Sequence, residues 1–108
     1  MRENTSTDFE SFIKEREAES GRRRRVLCYE RRKTPWIVLE YRLFEDIGED
    51  EKLPYSVGIC ASNGKRERYT ELENCFYELD ISKMFFDILV RNMATPVALS
   101  YIYNDFTE

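Results

Sequence analysis

The sequence contains no histidine. That absence removes the commonest general base, the commonest transition-metal ligand and the usual near-neutral pH switch, and it rules out Ser–His and Cys–His nucleophilic pairs. The four glycines (Gly21, Gly48, Gly58 and Gly64) form no phosphate-cradling loop after a strand. No serine sits in a nucleophile elbow. No stretch approaches the roughly 20 apolar residues needed to cross a bilayer, and Met1 to Glu10 lacks the apolar segment of a secretory signal. The three cysteines, Cys28, Cys60 and Cys75, are odd in number, and their spacings match no zinc or redox pattern. Each has apolar or aromatic neighbours, as expected of small buried hydrophobes in a reducing cytoplasm. Together these absences predict a cytoplasmic, non-enzymatic protein with no metal, no cofactor and no membrane association.

What the sequence does have is a concentration of positive charge. Seven of the twelve residues from Arg22 to Lys33 are basic: Arg22, Arg23, Arg24, Arg25, Arg31, Arg32 and Lys33. Glu30 is the one acid among them, so the segment carries +6 in a chain whose net charge is −4. One reading is an anion- or partner-binding surface, since the planar guanidinium fork suits phosphate and carboxylate. Tyr29 and Trp36 lie in or beside the stripe and could stack on bases. The plainer reading has three parts. Arg22 to Arg25 follow an expected helix C-terminus, where cations are favoured. Arg31, Arg32 and Lys33 flank a strand and could blunt a sheet edge. Glu10, Glu15, Glu17 and Glu19 could neutralise the arginines in place. The sequence pI of about 5.0 also argues against a dedicated nucleic-acid module.

At 108 residues, 42% hydrophobic and 14% aromatic, the chain suits one domain with a modest core. Residues 1–21 read as a peripheral helical arm and 22–108 as the body. Thr7 and Glu10 form a capping-box pattern for a helix from about Asp8 to Ser20, ended by Gly21. Its apolar stripe, Phe9, Phe12 and Ile13, is thin. Val26 to Tyr29 reads as a short strand between the two basic clusters. Trp36 to Phe44 is the strongest strand, with Ile37, Leu39, Tyr41 and Leu43 on one face. Its other face, Trp36, Val38, Glu40, Arg42 and Phe44, is mixed and expected to be partly wet.

Glu45 to Pro54 reads as an acidic loop, too irregular for an EF-hand. Tyr55 to Ala61 is the next strand, Asn63-Gly64 suggests a type I′ hairpin, and Lys65 to Thr70 returns. Glu71 to Leu79 fits either a strand or a helical turn. A helix from about Asp80 or Ser82 to Ala94 carries Phe86, Leu89, Val90 and Met93 at helical spacing. A second starts at Thr95-Pro96 and repeats that spacing with Leu99, Ile102, Tyr103 and Phe106. Phe85, Phe86, Tyr101, Tyr103 and Phe106 are most simply core, but such an aromatic surplus also suits a homodimer interface, for which Trp36, Phe44 and Tyr101 are the candidates.

From Trp36 to Phe106 the order of features resembles a family of short proteins of clostridia and related Firmicutes, a domain of unknown function. The residues that carry the resemblance are Tyr55-Ser56-Val57-Gly58-Ile59, Leu79-Asp80-Ile81-Ser82, and Pro96-Val97-Ala98-Leu99 through Asn104-Asp105-Phe106. In that family a His tends to stand two residues after the proline; here the position is Ala98. The resemblance implies a cytoplasmic bacterial protein and brings no activity with it. The combined expectation is an α+β domain: an N-terminal helix, an antiparallel three- to four-stranded meander, and two C-terminal helices packed on one face. Its expected role is protein–protein contact or regulation, including self-association. The alternative is nucleic-acid or polyanion binding through Arg22 to Lys33.

Overall fold

The computed structural model describes residues 24–47 and 53–108. Four antiparallel strands, β1 (Arg24–Lys33), β2 (Val38–Asp46), β3 (Tyr55–Ser62) and β4 (Glu67–Phe76), lie in the order β1-β2-β3-β4. Two helices follow, α1 (Leu79–Arg91) and α2 (Leu99–Thr107), joined through a short 3₁₀ turn at Pro96–Ala98. The helix expected over Asp8 to Ser20, together with Arg22, Arg23 and the centre of the acidic loop, lies outside the described residues.

β2 is buried along most of its length because β1 and β3 flank it and α1 covers one of its faces. Strand alternation sends Leu39, Tyr41 and Leu43 toward the helices, with Val57, Ile59 and Ala61 beside them on β3. Against these pack Phe85, Phe86, Leu89 and Val90 of α1 and Leu99 of α2. Phe76, Phe85, Tyr103 and Phe106 form an aromatic cluster with ring centroids 5.1–5.9 Å apart, several of them edge to face. Tyr103 also donates a hydrogen bond to the Cys75 carbonyl at 2.9 Å. Tyr101 stands outside this core, 71% exposed.

The opposite face of the sheet carries Glu40, Arg42, Phe44, Asp46, Ser56, Cys60 and Ser62, all buried. The expected wet face is therefore closed, and its polar groups pair with one another. Tyr29 donates to Glu40 Oε2 at 2.5 Å, and the Arg42 guanidinium stacks 4.5 Å over the Tyr29 ring. Gly58 is needed on this face: a Cβ there would lie 2.5 Å from the Tyr69 hydroxyl, whose ring leans across it.

Several boundaries differ from the sequence expectation. β1 is ten residues long and takes in Arg24, Arg25 and the second basic cluster, because β2 offers it a partner from Val38 to Asp46, with one bulge between Val26 and Cys28. β2 begins after Trp36, which lies in the turn. Glu45 and Asp46 belong to β2 and not to a loop. Glu71 to Phe76 continues β4, and Asn74 adopts φ 50° next to the register shift near Tyr55.

The hairpin at Asn63-Gly64 exists, but only Gly64 has positive φ, at 91°. Residues 63–66 form the loop, and Asn63 Oδ1 accepts from the Lys65 and Arg66 amides at 3.0 and 2.9 Å. α1 stops at Arg91 and not at Ala94. Met93 takes φ 50°, and the Met93 and Ala94 amides donate to Val90 and Leu89, the pairing of a Schellman cap. Met93 is thus the cap residue and not a member of the buried stripe. Pro96 opens the 3₁₀ turn, and α2 begins only at Leu99.

Candidate functional site

Alternation along β1 takes the basic stripe apart. Arg24 faces the polar side of the sheet and is enclosed, its side chain 3% exposed. Its Nε donates to Asp46 Oδ1 at 2.9 Å, and both terminal nitrogens reach the Glu71 carboxylate, one at 3.0 Å. Its guanidinium also lies 4.7 Å over the Phe44 ring. Burial opposes the Arg24 charge, but the bonds and attraction of Glu71, and then of Asp46, outweigh it and raise the pKa. Tyr69 donates to Glu71 Oε1 at 2.5 Å, and the Asn74 side-chain amide donates to Asp46 Oδ2 at 2.5 Å. Arg24 is thus a structural clamp joining β1, β2 and β4. Arg25 lies on the other face and pairs with Glu45.

The second cluster has a different fate. In an antiparallel meander the β1–β2 and β3–β4 turns fall at the same end of the sheet. Arg31, Arg32 and Lys33 close β1 there, and Lys65, Arg66 and Arg68 surround the β3–β4 turn. The outer strands are three spacings apart, about 14 Å. Six cations therefore share one end, with Glu30 and Glu67 as nearby acids. Arg32 pairs with Glu30 at 3.0 Å. Among the described residues, Arg31, Lys33, Lys65, Arg66 and Arg68 take part in no ion pair.

Trp36 projects from the tip of the β1–β2 turn, 80% exposed. The Thr34 hydroxyl fixes this turn by accepting from the Trp36 and Ile37 amides at 3.2 and 3.1 Å. The 3₁₀ turn packs against β3 and β4 at the same end, leaving a groove of about 390 Å³ between Thr95–Val97 and the β3–β4 hairpin.

Of the expected interface residues, Trp36 and Tyr101 are exposed, but Phe44 is fully buried under Arg24 and offers no surface. Trp36 belongs to a sheet turn and Tyr101 to α2, so the three do not form one patch. The sequence reading missed Lys65, Arg66 and Arg68. Their signal was present in the run Asn63-Gly64-Lys65-Arg66-Glu67-Arg68, once the two turns are placed at one end.

Chemically, the site offers charge and apolar contact. Burial pushes the Cys75 thiol up to about 12 and raises the Cys28 thiol, so neither is a ready thiolate near neutral pH. The three cysteines are unbridged. Among the described residues no group of three or more Cys, Asp or Glu side chains is arranged to hold a metal ion, and no helix is long and apolar enough to cross a membrane. In comparisons with protein families, curated proteins and solved structures, nothing matches this chain.

Proposed function

We propose that this chain is a non-enzymatic protein-interaction module that engages its partner through the hairpin end of the sheet. One observation carries the reading: Arg31 and Lys33 on β1 and Lys65, Arg66 and Arg68 around the β3–β4 turn lie at one end of the sheet and take part in no ion pair among the described residues, and Trp36 is exposed at that same end. Elsewhere the protein pairs Arg25 with Glu45 and Arg91 with Asp87. Aromatic and arginine side chains are the ones most enriched at interfaces. The free cysteines support a cytoplasmic setting. Kinship with the clostridial family is part of the proposal; its characteristic residues lie in β3, at the start of α1 and in the closing turn and helix.

The test is a photo-crosslinking amino acid placed at Trp36 and, as a control, at Asp87. The expected result is a discrete adduct of one mass from position 36 that is lost on charge reversal of Arg31, Lys33 and Arg68. Equal, diffuse labelling from both positions would overturn the proposal. Self-association is included, and an adduct of twice the protomer mass would assign it.

A second reading, polyanion binding, draws on the same cations but not on the whole Arg22–Lys33 stripe, since Arg24 is occupied by Asp46 and Glu71. It predicts duplex-DNA affinity that falls steeply with salt, with a log–log slope of about −0.9 per phosphate neutralised. A shallow slope, or none, would count against it.

A further inference from the structure

We infer that the groove between the β3–β4 hairpin and the 3₁₀ turn is the seat for a short acidic peptide segment with one aliphatic anchor. The inference rests on the interaction reading above and names the chemistry of the partner. Ile37, Ala61, Pro96 and Val97 supply the apolar lining, and Arg66 and Arg68 supply the charge.

Val97 is 61% exposed although it stands beside buried Pro96 in a well-defined turn. Pro96, whose ring holds its own φ, opens the turn, and Val97 follows it in the turn with its side chain exposed. A volume of about 390 Å³ is at the small end for ligand sites and suits one or two side chains, not a whole helix face.

Charge decides the class of occupant. Arg66 and Arg68, with Lys65 beside them, call for carboxylates, which a guanidinium grips in bidentate fashion. Glu67 also lines the groove. No aromatic residue lines the groove, so it gives no aromatic platform for base stacking. An extended acidic peptide satisfies all of these features at once.

The experiment uses the full chain and three fluorescent probes: an octapeptide of seven glutamates around a central leucine, octaglutamate, and a DNA duplex. Burial of one leucine should make the first bind about tenfold or more tighter than the second. Val97→Asp and the pair Arg66→Glu/Arg68→Glu should each weaken the leucine peptide by about tenfold or more, while Arg25→Glu leaves it unchanged. Val97→Ala, which cannot disturb the fold through charge, should give a smaller loss in the same direction.

Equal binding of all three probes, with no effect of Val97→Asp, overturns the inference and leaves a generic electrostatic surface. Absence of binding by any probe at low salt also overturns it. If the Trp36 crosslink survives Val97→Asp and Arg68→Glu, the module still binds a partner but not through this groove. If the crosslink itself fails, the broader proposal falls with it.

Discussion

The Tyr41 hydroxyl donates a 2.9 Å hydrogen bond to the carbonyl of Ala94, tying the middle of the sheet to the residue that ends the α1 cap. Tyr41 is fully buried and Ala94 nearly so. The bond therefore fixes where the chain leaves α1 and, two residues later at Pro96, where the groove-forming turn begins. Tyr41→Phe keeps the packing and strands a buried carbonyl. We expect a loss of about 1–2 kcal/mol in denaturant titration. An unchanged midpoint would mean that packing alone positions the turn.

The Arg24 cluster gives a larger and pH-dependent prediction. Arg24→Ala leaves Asp46 and Glu71 as buried acids, at an expected cost of about 3–5 kcal/mol. Relative to the parent, the loss should shrink as the pH falls toward the carboxylate range, because protonated acids no longer gain from the Arg24 charge. Arg24→Met should be milder than Arg24→Ala. Equal losses at pH 7 and near pH 4 would rule out the electrostatic origin.

Gly58 and Tyr69 are coupled by contact. Gly58→Ala must displace a ring whose hydroxyl is hydrogen-bonded to Glu71, at an expected cost of about 1–3 kcal/mol. In a Tyr69→Leu background the same substitution should cost much less. A double-mutant cycle with a coupling near zero would exclude the contact as the cause.

Stability should fall at alkaline pH. Burial lifts the Cys75 thiol from 9.0 to about 12 and the Tyr41 hydroxyl from 10.0 to about 12. Both groups stay protonated in the fold after the unfolded chain has begun to release its protons. Their contribution is complete below about pH 9 and disappears as the pH rises toward 12, with a slope of up to about 1.4 kcal/mol per pH unit for each group. Chemical denaturation across that range should show the decline, and Cys75→Ala should flatten its first part. A constant midpoint would refute the shared burial effect.

Met93 occupies a left-handed position that glycine fills more cheaply. Met93→Gly should be neutral or raise stability by about 0.5–1 kcal/mol, readable as a small increase in Tm. A clear drop would show that the partly exposed side chain contributes more through packing than its backbone conformation costs.

Much of the architecture could be read in the residues. Alternation in Leu39, Tyr41 and Leu43, the spacing of Leu89 and Val90 in α1, and the Thr95-Pro96 break all led to the observed sheet and helices. What stayed hidden depends on partners distant in sequence. Arg24 looked like part of a solvated stripe because its acids, Asp46 and Glu71, are 22 and 47 residues away. Glu40 and Arg42 suggested a wet face because nothing local predicts the Tyr29 contacts. The α1 terminus was misplaced because Met93, not a glycine, takes the left-handed cap. The basic hairpin end was split between two segments, and only the meander order brings Arg31 to Lys33 and Lys65 to Arg68 to the same end of the sheet.

The strand order also has a kinetic consequence. Each strand pairs with its sequence neighbour, so the ladders can form through short loop closures. The Arg24–Glu71 contact joins the first strand to the last and can close only after both inner strands are in place. Its loss should therefore accelerate unfolding far more than it slows folding. The clamp acts as a latch on the finished sheet at the end away from the β1–β2 and β3–β4 turns, setting how long the four strands stay assembled once formed.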